Sequence, residues 1–102
     1  MGVVLETKAA ITITTDAQAL SAVENDLVHA IVLTADAANA GVAYIGDDEV
    51  ATTTGIPLNA GESLMISDDK GNYDLTMSLA NIYVIGTASD KLRVNVLPRT
   101  SK

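Results

Sequence analysis

The sequence predicts an all-β domain, a small antiparallel β-sandwich or jelly-roll-like barrel with one short helical turn. Three observations predict it. Seven or eight short runs rich in Val, Ile, Leu and Thr recur at roughly 8–12-residue spacing, with turn signals between them. Several of these runs alternate apolar with polar residues, the period of a half-buried strand. Glycine, proline and asparagine cluster between the runs rather than inside them.

Residues 1–8 read as an N-terminal arm whose apolar patch, Val3-Val4-Leu5, has no evident partner within a small sandwich. Residues 9–98 form the domain and 99–102 a solvated tail. The first strand runs from Ala9 to Thr15, with Ile11 and Ile13 facing inward. The segment Asp16–Asn25 carries two competing patterns. Asp16 can cap a helix with Leu20, Val23 and Leu27 at helical spacing, whereas the alternation Ala17, Ala19, Ser21 suits a short irregular strand; the strand is the expectation.

Leu27–Ala35 is the strongest strand. Both of its faces are mostly apolar, so it is either sandwiched or covered by another subunit. Asn39-Ala40-Gly41 closes the following loop, where glycine can take a left-handed turn. A strand at Val42–Ile45 leads into the acidic connection Gly46-Asp47-Asp48-Glu49, and Val50–Thr54 is a weak edge candidate. Pro57 donates no backbone hydrogen bond, so Gly55–Leu58 belongs at a sheet edge or bulge.

Asn59-Ala60-Gly61 is a turn, and Glu62–Ser67 alternates around Leu64 and Ile66. Asp69-Lys70-Gly71-Asn72 reads as a hairpin turn, with Tyr73–Met77 returning as a strand. Ser78–Asn81 is one helical turn. Ile82–Thr87 and Lys91–Leu97 then read as a last hairpin joined by Ala88-Ser89-Asp90, and Pro98 ends it.

Composition narrows the function. Val, Ile and Leu supply 28 residues and Ala 15, but Phe and Trp are absent and only Tyr44, Tyr73 and Tyr83 are aromatic. A ring-poor core is thin for a free monomer, which points to a homo-oligomer. A net charge of −7 repels phosphate backbones and anionic lipid, arguing against nucleic-acid and membrane partners. No apolar run approaches the ~20 residues of a membrane span, and the N-terminus lacks a secretory pattern. Cysteine is absent, removing disulfides and thiolate chemistry.

Catalytic chemistry finds little support. His29 is the sole histidine and lies inside the most strand-like run, where a packed or interface role outweighs that of a base; a pH-sensitive contact is the minor alternative. The acid clusters Asp47-Asp48-Glu49 and Asp68-Asp69 miss the EF-hand spacing and read as solvated loops, so no metal or cofactor is expected. Tyr44 and Tyr83, mid-strand among apolar neighbours, read as core residues, while Tyr73 beside its turn reads as an exposed contact.

Four stretches carry a family resemblance: Asn39-Ala40-Gly41-Val42-Ala43-Tyr44-Ile45-Gly46, Gly55-Ile56-Pro57-Leu58-Asn59-Ala60-Gly61-Glu62-Ser63, Leu79-Ala80-Asn81-Ile82-Tyr83-Val84-Ile85-Gly86 and Leu92-Arg93-Val94. Together they resemble small tailed-bacteriophage virion accessory proteins, most closely head decoration (cement) proteins, over about Ile11 to Leu97. The motifs are turn glycines and strand apolars, so they speak to fold more firmly than to role.

The resemblance implies a non-enzymatic homotrimer, made in the host cytoplasm, that sits on the outer capsid and clamps the major capsid protein. Relatives on fibres or tails imply the alternative of a carbohydrate- or receptor-binding β module. Val3, Val4, Leu5, His29 and Tyr73 are the expected capsid or inter-subunit contacts. The chain departs from the pattern at Asp68–Met77, an added excursion that bears on virion placement rather than on fold.

Overall fold

A computed structural model of the chain describes residues 6–21, 27–67 and 77–98. The domain is a two-layer sandwich of antiparallel sheets. Sheet A is built on β4 (Leu27–Ala35) and β10 (Lys91–Pro98). Two short strands, β1 (Glu6–Thr7) and β2 (Ile11–Thr12), pair along the far side of β10. On the far side of β4 lie β7 (Ser63–Ser67) and β8 (Met77–Ser78). Sheet B has the order β3-β9-β5-β6, made of Gln18–Ala19, Tyr83–Ile85, Ala43–Gly46 and Ile56–Leu58.

The core follows from strand alternation. Ile31, Leu33 and Ala35 of β4 and Leu92, Val94 and Val96 of β10 turn one face of sheet A inward. They meet Ala43, Ile45, Leu58 and Val84 of sheet B, and Ile13, Leu20 and Leu79 close the margins. With no Phe or Trp, the space is filled by branched aliphatics and alanine. Ala30, on the opposite face of β4, is also buried within a single chain, and Val28 rejoins the core beyond the register shift between Leu97 and Pro98.

The segment after β2 is a corner shared by both sheets. Ile11 and Thr12 pair with β10, then Ile13 N–H donates to the Asp90 carbonyl at 2.7 Å. Thr14 accepts from Gly86 N–H at 3.0 Å, and Gln18–Ala19 pairs with β9. The expected Ala9–Thr15 strand is thus realised as a crossing: two residues on sheet A, then a step to sheet B. The Asp16–Asn25 segment resolves as strand at Gln18–Ala19; residues 22–26 lie outside the described residues.

Other expectations divide cleanly. β4 spans the expected Leu27–Ala35, β7 alternates around Leu64 and Ile66, and β6 sits at an edge beside Pro57. The helical turn is a 3-10 turn, Leu79–Asn81, whose Ser78 Oγ accepts from Ala80 N–H at 3.2 Å. Val50–Thr54 forms consecutive turns rather than an edge strand.

The expected last hairpin is not formed. β9 pairs with β3 and β5 in sheet B, while β10 pairs with β4, β1 and β2 in sheet A. The turn Thr87–Asp90, with Ser89 at φ 78° and Asp90 N–H on the Thr87 carbonyl, is a sheet-to-sheet corner. Its outward groups are taken by Ile13, which accepts from Ser89 N–H at 3.1 Å and donates to Asp90. Residues 6–8 of the expected arm belong to sheet A: Glu6 and Thr7 pair with Val96 and Asn95, and Lys8 N–H donates to the Val94 carbonyl.

Registers on β4 locate the excursion. Ser67 pairs with Ala30 and Met77 with Val28, so β7 and β8 are collinear and only His29 separates their partners. The chain between them, residues 68–76, interrupts one line of pairing along β4, at the point where the β4–β10 register shifts between Leu97 and Pro98.

Candidate functional site: the outward face of sheet B

Alternation in β5 and β9 decides which side chains leave the core. Ala43 and Ile45 are buried on β5, as is Val84 on β9. Tyr44, Tyr83 and Ile85 therefore face away from sheet A and are half-buried. Tyr44 pairs with Ile85 on one side and with Pro57 on the other, and Gly46 pairs with Tyr83. Tyr44 and Tyr83 are thus diagonal neighbours on one sheet face, a spacing of about 7–8 Å between backbones. The expectation that both tyrosines serve the core is corrected: the aliphatic residue beside each takes the inward position.

The acidic connection folds beside this face. Asp47 Oδ1 accepts from Glu49 N–H at 2.9 Å and the Asp47 carbonyl from Val50 N–H at 3.0 Å. A second turn follows, with Gly55 N–H on the Ala51 carbonyl at 2.9 Å and Ala51 N–H on Thr54 Oγ1 at 3.1 Å. Val50 is buried where two glycines make room. A methyl group at Gly46 would lie 2.8 Å from Val50 Cγ2, and one at Gly55 would lie 2.7 Å from both Val50 Cγ2 and Tyr44 Cβ. Asp47 is therefore a turn-former, while Asp48 and Glu49 remain exposed at the rim of the tyrosine face.

Charge is divided between the layers. Among the described residues the cations are Lys8, Lys91 and Arg93, all on the β1–β10 side of sheet A. Lys8 approaches Glu6 at 3.7 Å and Arg93 approaches Asp36 at 3.3 Å. The connections around sheet B carry Asp16, Asp47, Asp48 and Glu49 with no described cation among them. The arrangement offers an aromatic and apolar platform with a negative rim, suited to a flat partner carrying positive charge or hydrogen-bond donors.

Val3, Val4, Leu5 and Tyr73 lie outside the described residues. His29 is placed by its backbone in β4, the strand between β10 and the β7–β8 line; its side chain is likewise outside what is described. Asp68 and Asp69 are also outside. Among the described residues, no group of three or more His, Asp or Glu side chains comes together as a metal cage. Among them, too, no helix is long and apolar enough to cross a membrane. No protein-family model, curated protein or solved structure matches the chain.

Proposed function

We propose that this chain is a structural virion protein: a homotrimeric decoration protein that binds the major capsid protein on the outer capsid surface and stabilises the head. The observation that carries the proposal is the outward face of sheet B, where Tyr44, Tyr83, Ile85 and Pro57 form a platform on a rigid sheet. Tyrosine supplies large contact area at small conformational cost and keeps a polar tip for a wet rim. A flat platform suits burial against a broad shell, and three such contacts held at once become durable although each is weak. The resemblance to head decoration proteins supports the same reading.

The second reading, a carbohydrate-binding module on a fibre or tail, draws on the same pair of tyrosines beside an acidic loop. A sugar ring stacks on an aromatic face while carboxylates accept hydrogen bonds from its hydroxyls. One experiment separates the two. The purified chain is co-sedimented with heads of the virus that encodes it, and in parallel applied to a glycan array. Decoration predicts saturable head binding that Tyr44→Ala with Tyr83→Ala abolishes, together with a trimeric solution mass. Glycan binding lost in the same variant, without head binding, replaces the proposal with the second reading.

A further inference from the structure

The two sheets present lateral edges that the sequence treats unequally. β3 offers two residues, and β6 carries Pro57, which has no N–H to give. β1 offers two residues beside the Glu6–Lys8 ion pair. Short strands, proline and charge are the usual protections against edge-to-edge pairing. β7 has none of them. Its five residues, Ser63-Leu64-Met65-Ile66-Ser67, contain neither charge nor proline, and Met65 is 62% exposed.

The backbone of β7 points the right way. Ala35 N–H donates to the Glu62 carbonyl at 2.9 Å, so Ala35, Leu33 and Ile31 aim their backbone groups at β7. Leu64 and Ile66 answer them. Antiparallel alternation then turns the N–H and C=O groups of Ser63, Met65 and Ser67 away from β4, towards the open edge. Among the described residues, no strand pairs with that edge.

We propose that β7 pairs antiparallel with β7 of a second copy, across a two-fold axis through Met65, joining two copies of sheet A into one continuous sheet. The occupant is a second copy because the strand is complementary to itself. Its order reads polar, apolar, Met, apolar, polar in both directions. The two-fold pairing sets Ser63 against Ser67 of the partner subunit, Leu64 against Ile66 of the partner subunit, and Met65 against its equivalent. Leu64 and Ile66 already pack on the core, so their pairing extends an existing apolar face.

Such a contact is isologous and closes at two copies, so β7 itself does not propagate a filament. Each copy carries a net charge of −7, which opposes association at low ionic strength and makes the pairing stronger at high salt. One short strand falls well below the ~800 Å² per partner of a stable dimer, so the association is weak and concentration-dependent. It is separate from the three-fold ring proposed above, which closes through unlike patches, and its test requires no capsid.

The chain has no cysteine, so one introduced thiol reports one position. Paired residues at the axis have Cα atoms about 5.5 Å apart, within disulfide reach. Met65→Cys at several hundred micromolar under mild oxidation is expected to give a covalent dimer on a non-reducing gel, in greater yield at high salt. Ser63→Cys alone lies about 14 Å from its own equivalent and is expected to stay monomeric. A mixture of Ser63→Cys and Ser67→Cys is expected to cross-link. Met65→Lys is expected to abolish concentration-dependent association in sedimentation velocity while leaving the circular-dichroism spectrum unchanged. Failure of Met65→Cys to cross-link, or equal cross-linking of Ser63→Cys with itself, overturns the proposal.

Discussion

The Asp90 carboxylate accepts the Gly41 N–H at 2.9 Å, linking two loops that lie 49 residues apart in sequence. Its other oxygen accepts Ala40 N–H, also at 2.9 Å, and Asp90 itself is 8% exposed. Asn39 completes the join: its Oδ1 accepts from Lys91 N–H at 2.8 Å and its Nδ2 donates to the Lys91 carbonyl at 2.9 Å. The side-chain amide does here what a neighbouring strand would do. The loop after β4 is thereby fixed to the start of β10, at the end of sheet A where Ile13 crosses to sheet B.

Removing that carboxylate leaves two backbone donors without an acceptor in a largely buried site. Asp90→Ala is expected to lower unfolding free energy by about 2–4 kcal/mol. Asp90→Asn is expected to be destabilised as well, because one oxygen becomes an NH₂ group facing a backbone N–H. Urea midpoints at neutral pH check both, and a loss below about 0.5 kcal/mol for Asp90→Ala would mean that the clamp contributes nothing.

Gly41 is needed for closeness rather than for backbone twist, since Gly61, at φ 85°, is the described glycine with a positive φ. A methyl group on Gly41 would collide with Thr87 Oγ1. Gly41→Ala is expected to cost about 1–3 kcal/mol, as overpacking does. Adding Thr87→Ala should recover a large part of that loss. A double-mutant cycle with no coupling between the two positions refutes the contact.

Asp36 titrates below its ordinary value of 3.8, held down first by the Ala38 N–H on its Oδ1 and then by the charge and hydrogen bond of Arg93, with burial opposing. A carboxyl group whose pKa falls on folding stabilises the fold above its unfolded value. That contribution drains away as pH drops through the lower folded value. Asp36→Asn is therefore expected to be less stable than the parent at about pH 6, with the gap closing towards about pH 2. A gap that is constant across that range removes the charge from the explanation.

The collinearity of β7 and β8 makes a deletion prediction. Replacing residues 68–76 by a single threonine would join Ser67 to Met77 through one residue opposite His29. The shortened chain is expected to keep its circular-dichroism spectrum and melt within about 5 °C of the parent. Unfolding would show that the register across β4 depends on the inserted segment. The deletion also removes Tyr73, so an unchanged affinity for heads would withdraw that residue from the proposed capsid contact.

Where a signal was local, the sequence carried it. Leu27–Ala35 is strand because nine residues rich in Val, Ile and Leu run without Gly or Pro, and Asn59–Glu62 turns because Gly61 accepts the left-handed conformation. Ser78 caps the 3-10 turn through its own neighbouring amide. The outward tyrosines were also legible in part. In Ala43-Tyr44-Ile45 and Tyr83-Val84-Ile85 the alternation was visible, but which phase faced the core depended on a partner sheet not yet placed.

The sequence by itself determined a ring-poor, all-β chain, its strand periods and most of its turns, because propensity and alternation act over a few neighbouring residues. Tertiary structure alone decided that β9 and β10, adjacent in the chain, belong to opposite sheets. It also decided that Gly41 answers to Thr87 and that β7 and β8 are one interrupted line along β4. Each of these is a pairing between distant segments, set by which backbone donors find acceptors once the two apolar faces have closed on each other.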